Sequence, residues 1–68
     1  MNRIEAIKKR RRLSYGDIAD RAGVSTQYIF LLAKGRRTNP SFDVMQKIAA
    51  ALGEKVEKVF LINNRGLS

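Results

Sequence analysis

The sequence predicts an all-α fold in which five short helices pack around one small core. Two observations carry this prediction. Apolar residues recur at helical spacing through most of the chain, and capping residues precede these segments while glycines follow them. The 68 residues leave room for a single domain, residues 1–68, whose core is so small that close helix packing or a dimer partner would help to stabilise it.

The central stretch opens with a helix that has signals at both ends. Ser14 is an N-cap residue, and Asp17 follows three residues later as the acid of a capping box. Gly23 stands where the end of the helix requires a positive φ. Between these ends, one apolar stripe at i, i+3, i+4 and i+7 consists of Tyr15, Ile18, Ala19 and Ala22.

A second helix begins after its cap, Ser25, and runs to Ala33 or Lys34, before Gly35. It has two faces at about 100° per residue. The inward face carries Ile29, Leu32 and Ala33 with Tyr28 at its edge, and the outward face carries Gln27, Phe30, Leu31 and Lys34. Two helices joined by a short turn with glycine form a helix-turn-helix, here at about 14–34, whose second helix enters the major groove of DNA.

The chain before the motif predicts one more helix. Asn2 can cap it, Ile4 and Ile7 form its apolar side, and the basic run 8–12 forms its end. Such a run is either a solvated helix end, where cations suit the helix dipole, or a set of phosphate contacts. After the motif, residues 35–40 form a polar and basic loop.

Two further helices follow this loop. Ser41 caps the fourth helix, and Gly53 ends it. Its predicted core stripe contains Phe42, Met45, Ile48, Ala49 and Leu52. Glu54 or Lys55 opens a short fifth helix, and residues 61–62 could add a short strand.

The composition limits the classes of function. Lys and Arg number 14 against 6 Asp and Glu, and the net charge of +8 predicts a polyanionic partner. Cysteine and histidine are absent, and the carboxylates show no paired arrangement, so we expect no metal site, no cofactor and no enzymatic activity. The N-terminus is charged and the longest apolar run, 28–33, is too short to span a bilayer, which predicts a cytoplasmic protein without a membrane segment.

Several short features occur together in the order typical of one protein family. They are Leu13-Ser14, Ile18-Ala19, Gly23-Val24-Ser25, Tyr28-Ile29, Gly35, Asn39-Pro40-Ser41, Ile48-Ala49 and Ala51-Leu52-Gly53. With this order and spacing, the chain from Ile4 to about Phe60 resembles the Cro/C1-type (XRE-like) helix-turn-helix family of phage and bacterial repressors. The resemblance implies a lambda-repressor-like DNA-binding domain.

The chain departs from the family pattern at four positions. Tyr15 stands where the family commonly has the glutamine that anchors the backbone, although a tyrosine hydroxyl could replace that anchor. Gly16 follows it, and glycine lowers helix propensity by roughly 1 kcal/mol relative to alanine. The family often pairs an arginine of the first helix with a glutamate at the end of the recognition helix, but here those positions are Lys8 and Ala33.

The resemblance also places the base-reading positions. They are Thr26, Gln27 and Leu31, with Phe30 beside them. A glutamine such as Gln27 can bind the N6 and N7 edge of adenine with two hydrogen bonds, worth roughly 1–3 kcal/mol of discrimination. Phe30 and Leu31 have three interpretations: they contact thymine methyl groups, pack beneath the basic loop, or form a surface for a partner protein.

Phosphate contacts are expected from the starts of both motif helices and from the basic loop. The candidates are Ser14, Tyr15, Ser25, Tyr28, Lys34, Arg36, Arg37, Thr38 and Asn39. Such contacts set the register of a protein on DNA rather than its sequence preference.

The leading functional prediction is a small transcriptional regulator, a repressor, that binds a palindromic double-stranded DNA operator as a homodimer. The dimer surface is expected in the region 54–62, at Val56, Val59, Phe60, Leu61 and Ile62, unless Val56 and Phe60 only close the core. The alternative is a protein-interaction module, such as an antitoxin-like partner. Because no separate ligand-binding domain is visible, we expect control by concentration, dimerisation or a protein antagonist such as an anti-repressor.

Overall fold

A computed structural model describes residues 2–37 and 39–60. Within these ranges the chain forms five α-helices and no extended strand, which confirms the all-α prediction. The helices are α1 (Ile4–Arg11), α2 (Tyr15–Ala22), α3 (Thr26–Ala33), α4 (Phe42–Leu52) and α5 (Val56–Val59). Thr38, Leu61 and Ile62, which the sequence assigned to phosphate or dimer contacts, lie outside the described residues.

The predicted helix caps are present. In the capping box of α2, the Asp17 N–H donates to Ser14 Oγ at 2.9 Å, and the Ser14 N–H donates to Asp17 Oδ2 at 3.0 Å. The hydroxyls of Ser25 and Ser41 accept backbone N–H groups in the first turns of α3 and α4, at 3.0 and 3.2 Å. Each of these four hydrogen bonds satisfies a backbone donor that the helix itself leaves free.

Asn2 is not the cap residue that the sequence predicted, but its side chain still holds the start of α1. Arg3 occupies the cap position of α1, while the Asn2 side-chain oxygen accepts the N–H of Ile4 at 3.1 Å. The amide nitrogen of the same side chain donates to the Leu32 carbonyl at 2.8 Å. Asn2 therefore ties the start of α1 to the last turn of α3.

The core is entirely apolar among the described residues, and α2 lies at its centre, packed against both α3 and α4. The helices contribute all of the buried residues except Phe60, which directly follows α5: Ile4, Ile7, Ile18, Ala19, Ala22, Ile29, Leu32, Ile48, Ala49, Ala51, Leu52, Val59 and Phe60. Ala19 is only 3% exposed, as expected for a small residue where two helices cross closely.

One core prediction is wrong. Phe42 is 54% exposed, although the helical stripe of α4 assigned it to the core. The reason is its position at the first residue of α4, whereas the buried residues of that helix all lie from Ile48 onward. The periodicity identified the correct side of α4 but not how far along the helix the core extends.

The C-terminal part of the described chain closes the core. The Arg3 N–H donates to the Val59 carbonyl at 2.7 Å, and Asn2 and Phe60 form an isolated antiparallel bridge. None of the helices described is both long and apolar enough to cross a membrane.

Candidate nucleic-acid interface

The outward face of α3 carries the predicted base-reading residues. Thr26 and Gln27 are exposed, Phe30 is 40% exposed and Leu31 is half-buried. The opposite face is anchored by Ile29, whose side chain is completely buried. The predicted separation of the two faces of this helix is therefore present in the structure.

A shallow depression lies beside this face. It is lined by Ser25, Gln27, Tyr28, Leu31 and Arg37. The Arg37 guanidinium carbon lies 5.2 Å from the centre of the Tyr28 ring, within the range of a cation–π contact. Tyr28 and Leu31 are the apolar residues of this lining, and Gln27 adds an amide that suits the hydrogen-bonding edge of a base.

The basic loop is held against the end of α3. The backbone N–H groups of Arg36 and Arg37 both donate to the Leu31 carbonyl, at 2.9 and 3.2 Å. Gly35 permits this reversal with a φ of 75°. The loop is thus hydrogen-bonded to the end of α3, and Arg37 lies beside Gln27 and Leu31.

Tyr15 has a different environment from the predicted one. Its hydroxyl donates a hydrogen bond to the Glu5 carboxylate on α1, so it does not replace the family's side-chain-to-backbone anchor. This bond raises the pKa of Tyr15 to about 12, with burial and the charge of Glu5 acting in the same direction. It also lowers the pKa of Glu5, together with the charges of Lys34, Lys8 and Lys9.

The Tyr15 ring joins α1 to the outward face of α3. The Lys8 ammonium lies 4.5 Å from the centre of the Tyr15 ring. The Phe30 ring meets the Tyr15 ring edge to face, with centroids 5.5 Å apart and planes at 85°. Lys34 covers the Phe30 ring at 5.7 Å. Lys8 therefore packs on an aromatic ring rather than facing Ala33 as one half of the family's ion pair.

Glu5 is the residue of this region that sequence reasoning missed. Its spacing from Lys8 places both on one face of α1, but nothing in the local pattern shows that this face meets Tyr15. The contact depends on how α1 crosses α2.

The remaining phosphate candidates differ in what they already bind. Ser14 and Ser25 accept capping hydrogen bonds through their hydroxyl oxygens, which leaves each hydroxyl hydrogen available for donation to a phosphate. Lys34, Arg36, Arg37 and Asn39 are exposed around the end of α3. The candidates that carry a positive charge thus concentrate on the loop side of α3.

The residues assigned to a dimer surface need correction. Val59 is completely buried and Phe60 is 6% exposed, so both side chains pack within the single chain. Val56 is half-buried against the same core. For Phe60 the structure favours the alternative in which it closes the core, and the burial of Val59 is contrary to prediction, whereas Val56 keeps an exposed part.

Comparison with known proteins matches the part of the chain that forms the five helices, from α1 to α5. The helix-turn-helix family model matches residues 4–59. The HTH-type transcriptional regulator SinR of Bacillus subtilis is 32% identical over 54 residues, which cover 79% of this chain and 49% of SinR. The immunity repressor protein of Bacillus phage phi105 is 35% identical over 57 residues, which cover 84% of this chain and 39% of the repressor.

A third relative matches along most of its own length. It is an uncharacterized HTH-type transcriptional regulator of Methanothermobacter thermautotrophicus, 38% identical over 60 residues that cover 87% of this chain and 86% of the relative. By contrast, the chain spans half or less of the length of SinR and of the phage repressor. The family match and these relatives confirm the prediction that the chain is not an enzyme.

Proposed function

The chain belongs to the Cro/C1-type helix-turn-helix family, and from this premise we propose that it is a small transcriptional regulator that binds double-stranded DNA sequence-specifically. The observation that carries the proposal is the outward face of α3, which presents Gln27, Phe30 and Leu31 beside an arginine loop that is hydrogen-bonded to the same helix. We place α3 in the major groove, where a helix of this kind reads base edges.

Base readout is assigned to two kinds of side chain. Gln27 binds the hydrogen-bonding edge of adenine, and Thr26 lies next to it at the start of α3. Phe30 and Leu31 contact thymine methyl groups, because apolar side chains recognise that methyl group in the major groove. The depression between Gln27 and Leu31 supports an operator half-site with adenine and thymine at neighbouring positions.

Phosphate contacts are assigned to the two sides of α3. The N-terminal turn of α2, capped at Ser14, offers helix N–H groups on one side, and Lys34, Arg36 and Arg37 offer cations on the other. Each phosphate that is neutralised steepens the fall of log K with log salt by about 0.9. The loop arginines are thus expected to control salt dependence rather than sequence preference.

We further propose a repressor that acts as a homodimer on a palindromic operator in the cytoplasm. The name of the phage relative, an immunity repressor, supports repression. Two-fold symmetry requires half-sites about 34–36 Å apart, or about 10 base pairs. Because Val59 and Phe60 are buried in the core, we assign the dimer contact to the C-terminal region around Val56.

Selection of bound duplexes from a random DNA library at physiological salt tests this proposal. A two-fold symmetric motif with half-sites about one helical turn apart is the expected result. Recovery of no motif, with binding that disappears as salt rises, would leave only non-specific electrostatic attraction and contradict the proposal.

Three variants then separate base readout from phosphate contact. Gln27→Ala is expected to relax the preference at one base position and to leave the salt slope unchanged. Gln46→Ala is the matched control, because Gln46 is exposed on α4 and is assigned no DNA contact. Arg37→Gln is expected to weaken all duplexes about equally and to reduce the salt slope by about 0.9.

One observation favours the second candidate, a protein-interaction module. Phe30 and Phe42 are 40% and 54% exposed, and large apolar side chains on a surface often mark protein contacts. A chain that selects no DNA motif, but loses binding to a protein antagonist when Phe42 is replaced by serine, would support this candidate.

A further inference from the structure

The aromatic contact between α2 and α3 has a role that goes beyond core packing. Phe30 belongs to the outward face of α3, yet its ring meets Tyr15 edge to face at 5.5 Å. Tyr15 in turn donates its hydroxyl to Glu5 and carries Lys8 over its ring. A continuous set of contacts therefore runs from α1 to a side chain on the proposed reading face.

We propose that Tyr15 is a positioning residue that holds the Phe30 ring in place to read a thymine methyl group, an inference that rests on the proposed DNA-binding function. Tyr15 acts through Phe30 and does not itself touch the base. The ligand feature that this pair recognises is the 5-methyl group of thymine in the major groove.

The geometry explains why Phe30 needs such support. Its ring is 40% exposed, so packing covers only part of it. An exposed ring that samples several rotamers loses affinity when binding fixes it in one of them. The edge-to-face contact with Tyr15 and the covering Lys34 favour one orientation before DNA arrives.

The geometry also argues against a direct phosphate role for the Tyr15 hydroxyl. A hydroxyl has one hydrogen to donate, and that hydrogen is engaged by Glu5. Donation to a phosphate would break this bond and leave the Glu5 carboxylate close to a second anion. The Glu5 contact is therefore better suited to fixing the Tyr15 ring than to releasing its hydroxyl.

The test uses the full chain and the operator recovered by selection. Each thymine of the operator is replaced in turn by deoxyuridine, which lacks only the 5-methyl group. At one position the wild type is expected to bind the thymine duplex roughly fourfold more tightly than the uracil duplex, which corresponds to the burial of one methyl group. Phe30→Ala should abolish that preference, and Tyr15→Ala should reduce it to the same level.

The double variant and the conservative variant make the inference specific. Tyr15→Ala combined with Phe30→Ala should lose no more preference than Phe30→Ala alone, because both act through one ring. Tyr15→Phe keeps the ring contact but loses the hydrogen bond to Glu5, so it should reduce the preference only partly, as should removal of the Glu5 carboxylate. Phe42→Ala is the control, since this exposed ring lies on α4 and should leave the thymine preference unchanged.

Several outcomes would overturn the inference. If Tyr15→Ala weakens thymine and uracil duplexes equally and reduces the salt slope by about 0.9, Tyr15 is a phosphate ligand. If the wild type binds a specific motif without any thymine preference, the proposed DNA binding is supported and the positioning role of Tyr15 is contradicted. If no motif is recovered at all, the proposed function and this inference fall together.

A second variant covers the case in which Tyr15→Ala does not fold, as judged by circular dichroism. Glu5→Ala removes the hydroxyl partner from a half-buried position on α1 without opening the core. It is expected to reduce the thymine preference partly, and an unchanged preference would overturn the inference.

Discussion

The same turn ends α1, α2, α3 and α4, and two of these junctions, between α2 and α3 and between α4 and α5, combine it with a glycine and an immediate start of the next helix. Gly23 and Gly53 have almost the same φ, 73° and 72°. The next residues, Val24 and Glu54, donate their N–H groups to an alanine carbonyl one turn earlier, at 3.1 and 3.0 Å. The backbone therefore ends a helix with the same conformation and the same hydrogen bond at both junctions.

The side chains that hold the two junctions are different. Val24 is half-buried and packs on the apolar core. Glu54 occupies the equivalent position, where its Oε2 accepts hydrogen bonds from the guanidinium groups of Arg10 and Arg11, both at 3.0 Å. The first junction is held by an apolar contact and the second by ion pairs with α1.

The residues that start the next helix differ as well. The Ser25 hydroxyl caps α3, which has 8 residues, whereas Lys55 provides no side-chain cap to α5, which has 4. The helix that presents side chains to DNA in our proposal is thus stabilised at its own start. The shorter helix depends on the burial of Val59 and on charges that salt can screen.

The largest losses of stability are expected when a buried residue of the helix after each junction is replaced. Ile29 and Val59 are both completely buried, and replacement by alanine removes packing and leaves a cavity. Ile29→Ala should lower the free energy of unfolding by about 2–5 kcal/mol, and Val59→Ala by less because fewer carbons are removed. Urea unfolding measures both changes. Phe42→Ala, at an exposed position, should change stability by no more than about 0.5 kcal/mol. An equal loss for Val59→Ala would show that α5 contributes as much as α3.

The two glycines test whether the shared turn has the same energetic cost in both places. Alanine at Gly23 or Gly53 is forced into a left-handed conformation, so each variant should lose about 1–2 kcal/mol in urea unfolding. At Gly53 the added methyl would also lie 3.3 Å from the Arg11 guanidinium, which can move.

Gly16→Ala is the matched control for the glycine variants. Gly16 lies inside α2, and an added methyl would meet Ser14 Oγ at an ordinary 3.6 Å. This variant is expected to gain up to about 1 kcal/mol, because alanine favours the helix. A loss at Gly16 similar to that at Gly23 would show that conformation is not the cause.

A smaller effect on stability is expected from substitutions at the two cap positions, Ser25 and Lys55. Ser25→Ala should cost about 1 kcal/mol, because the Tyr28 N–H loses its partner. Lys55 already has the extended conformation of a cap, with φ −77° and ψ 150°, so Lys55→Ser should stabilise the chain by some tenths of a kcal/mol. Thermal unfolding followed by circular dichroism detects both, and a Lys55→Ser variant less stable than wild type would contradict the comparison.

Much of the fold was predictable because its signals are local. Ser14, Ser25, Ser41 and Gly23 lie within one turn of the helix ends that they define, and the sequence shows them directly. Phe42 was assigned wrongly because a helical period contains no information about where the neighbouring helices stop covering α4. Val59 was assigned wrongly because an apolar terminal segment can pack inward or against a second chain, and only the folded chain decides between them.

The candidate site was predictable in place but not in detail. The faces of α3 follow from its period, so the outward position of Gln27 and Phe30 was visible in the sequence. The Glu5–Tyr15 contact was not, because it joins two helices whose crossing depends on the whole core. The base, phosphate and dimer contacts themselves remain predictions.

The smallest and most condition-dependent effect is expected at the ion pairs of the second junction. The hydrogen bond from Arg11 and the charges of Arg11, Arg10 and Lys58 hold the pKa of Glu54 below its ordinary value of 4.5. A carboxyl group with a lowered pKa in the folded chain contributes stability that is present above its ordinary pKa and is lost as the pH falls through the folded value. Glu54→Gln should therefore flatten the loss of stability below about pH 5.

Salt dependence distinguishes this effect from a loss of packing. Because the arginines are 66% and 44% exposed, the difference between wild type and Glu54→Gln should shrink at about 1 M salt, where the screening length is about 3 Å. The same salt should leave the cost of Val24→Ala unchanged, since that junction is held by apolar contact. Glu57→Gln is the control, because Glu57 is exposed on α5 and makes no ion pair within the described ranges. Equal salt sensitivity of the Val24 and Glu54 variants would mean that the two junctions are held by the same kind of interaction after all.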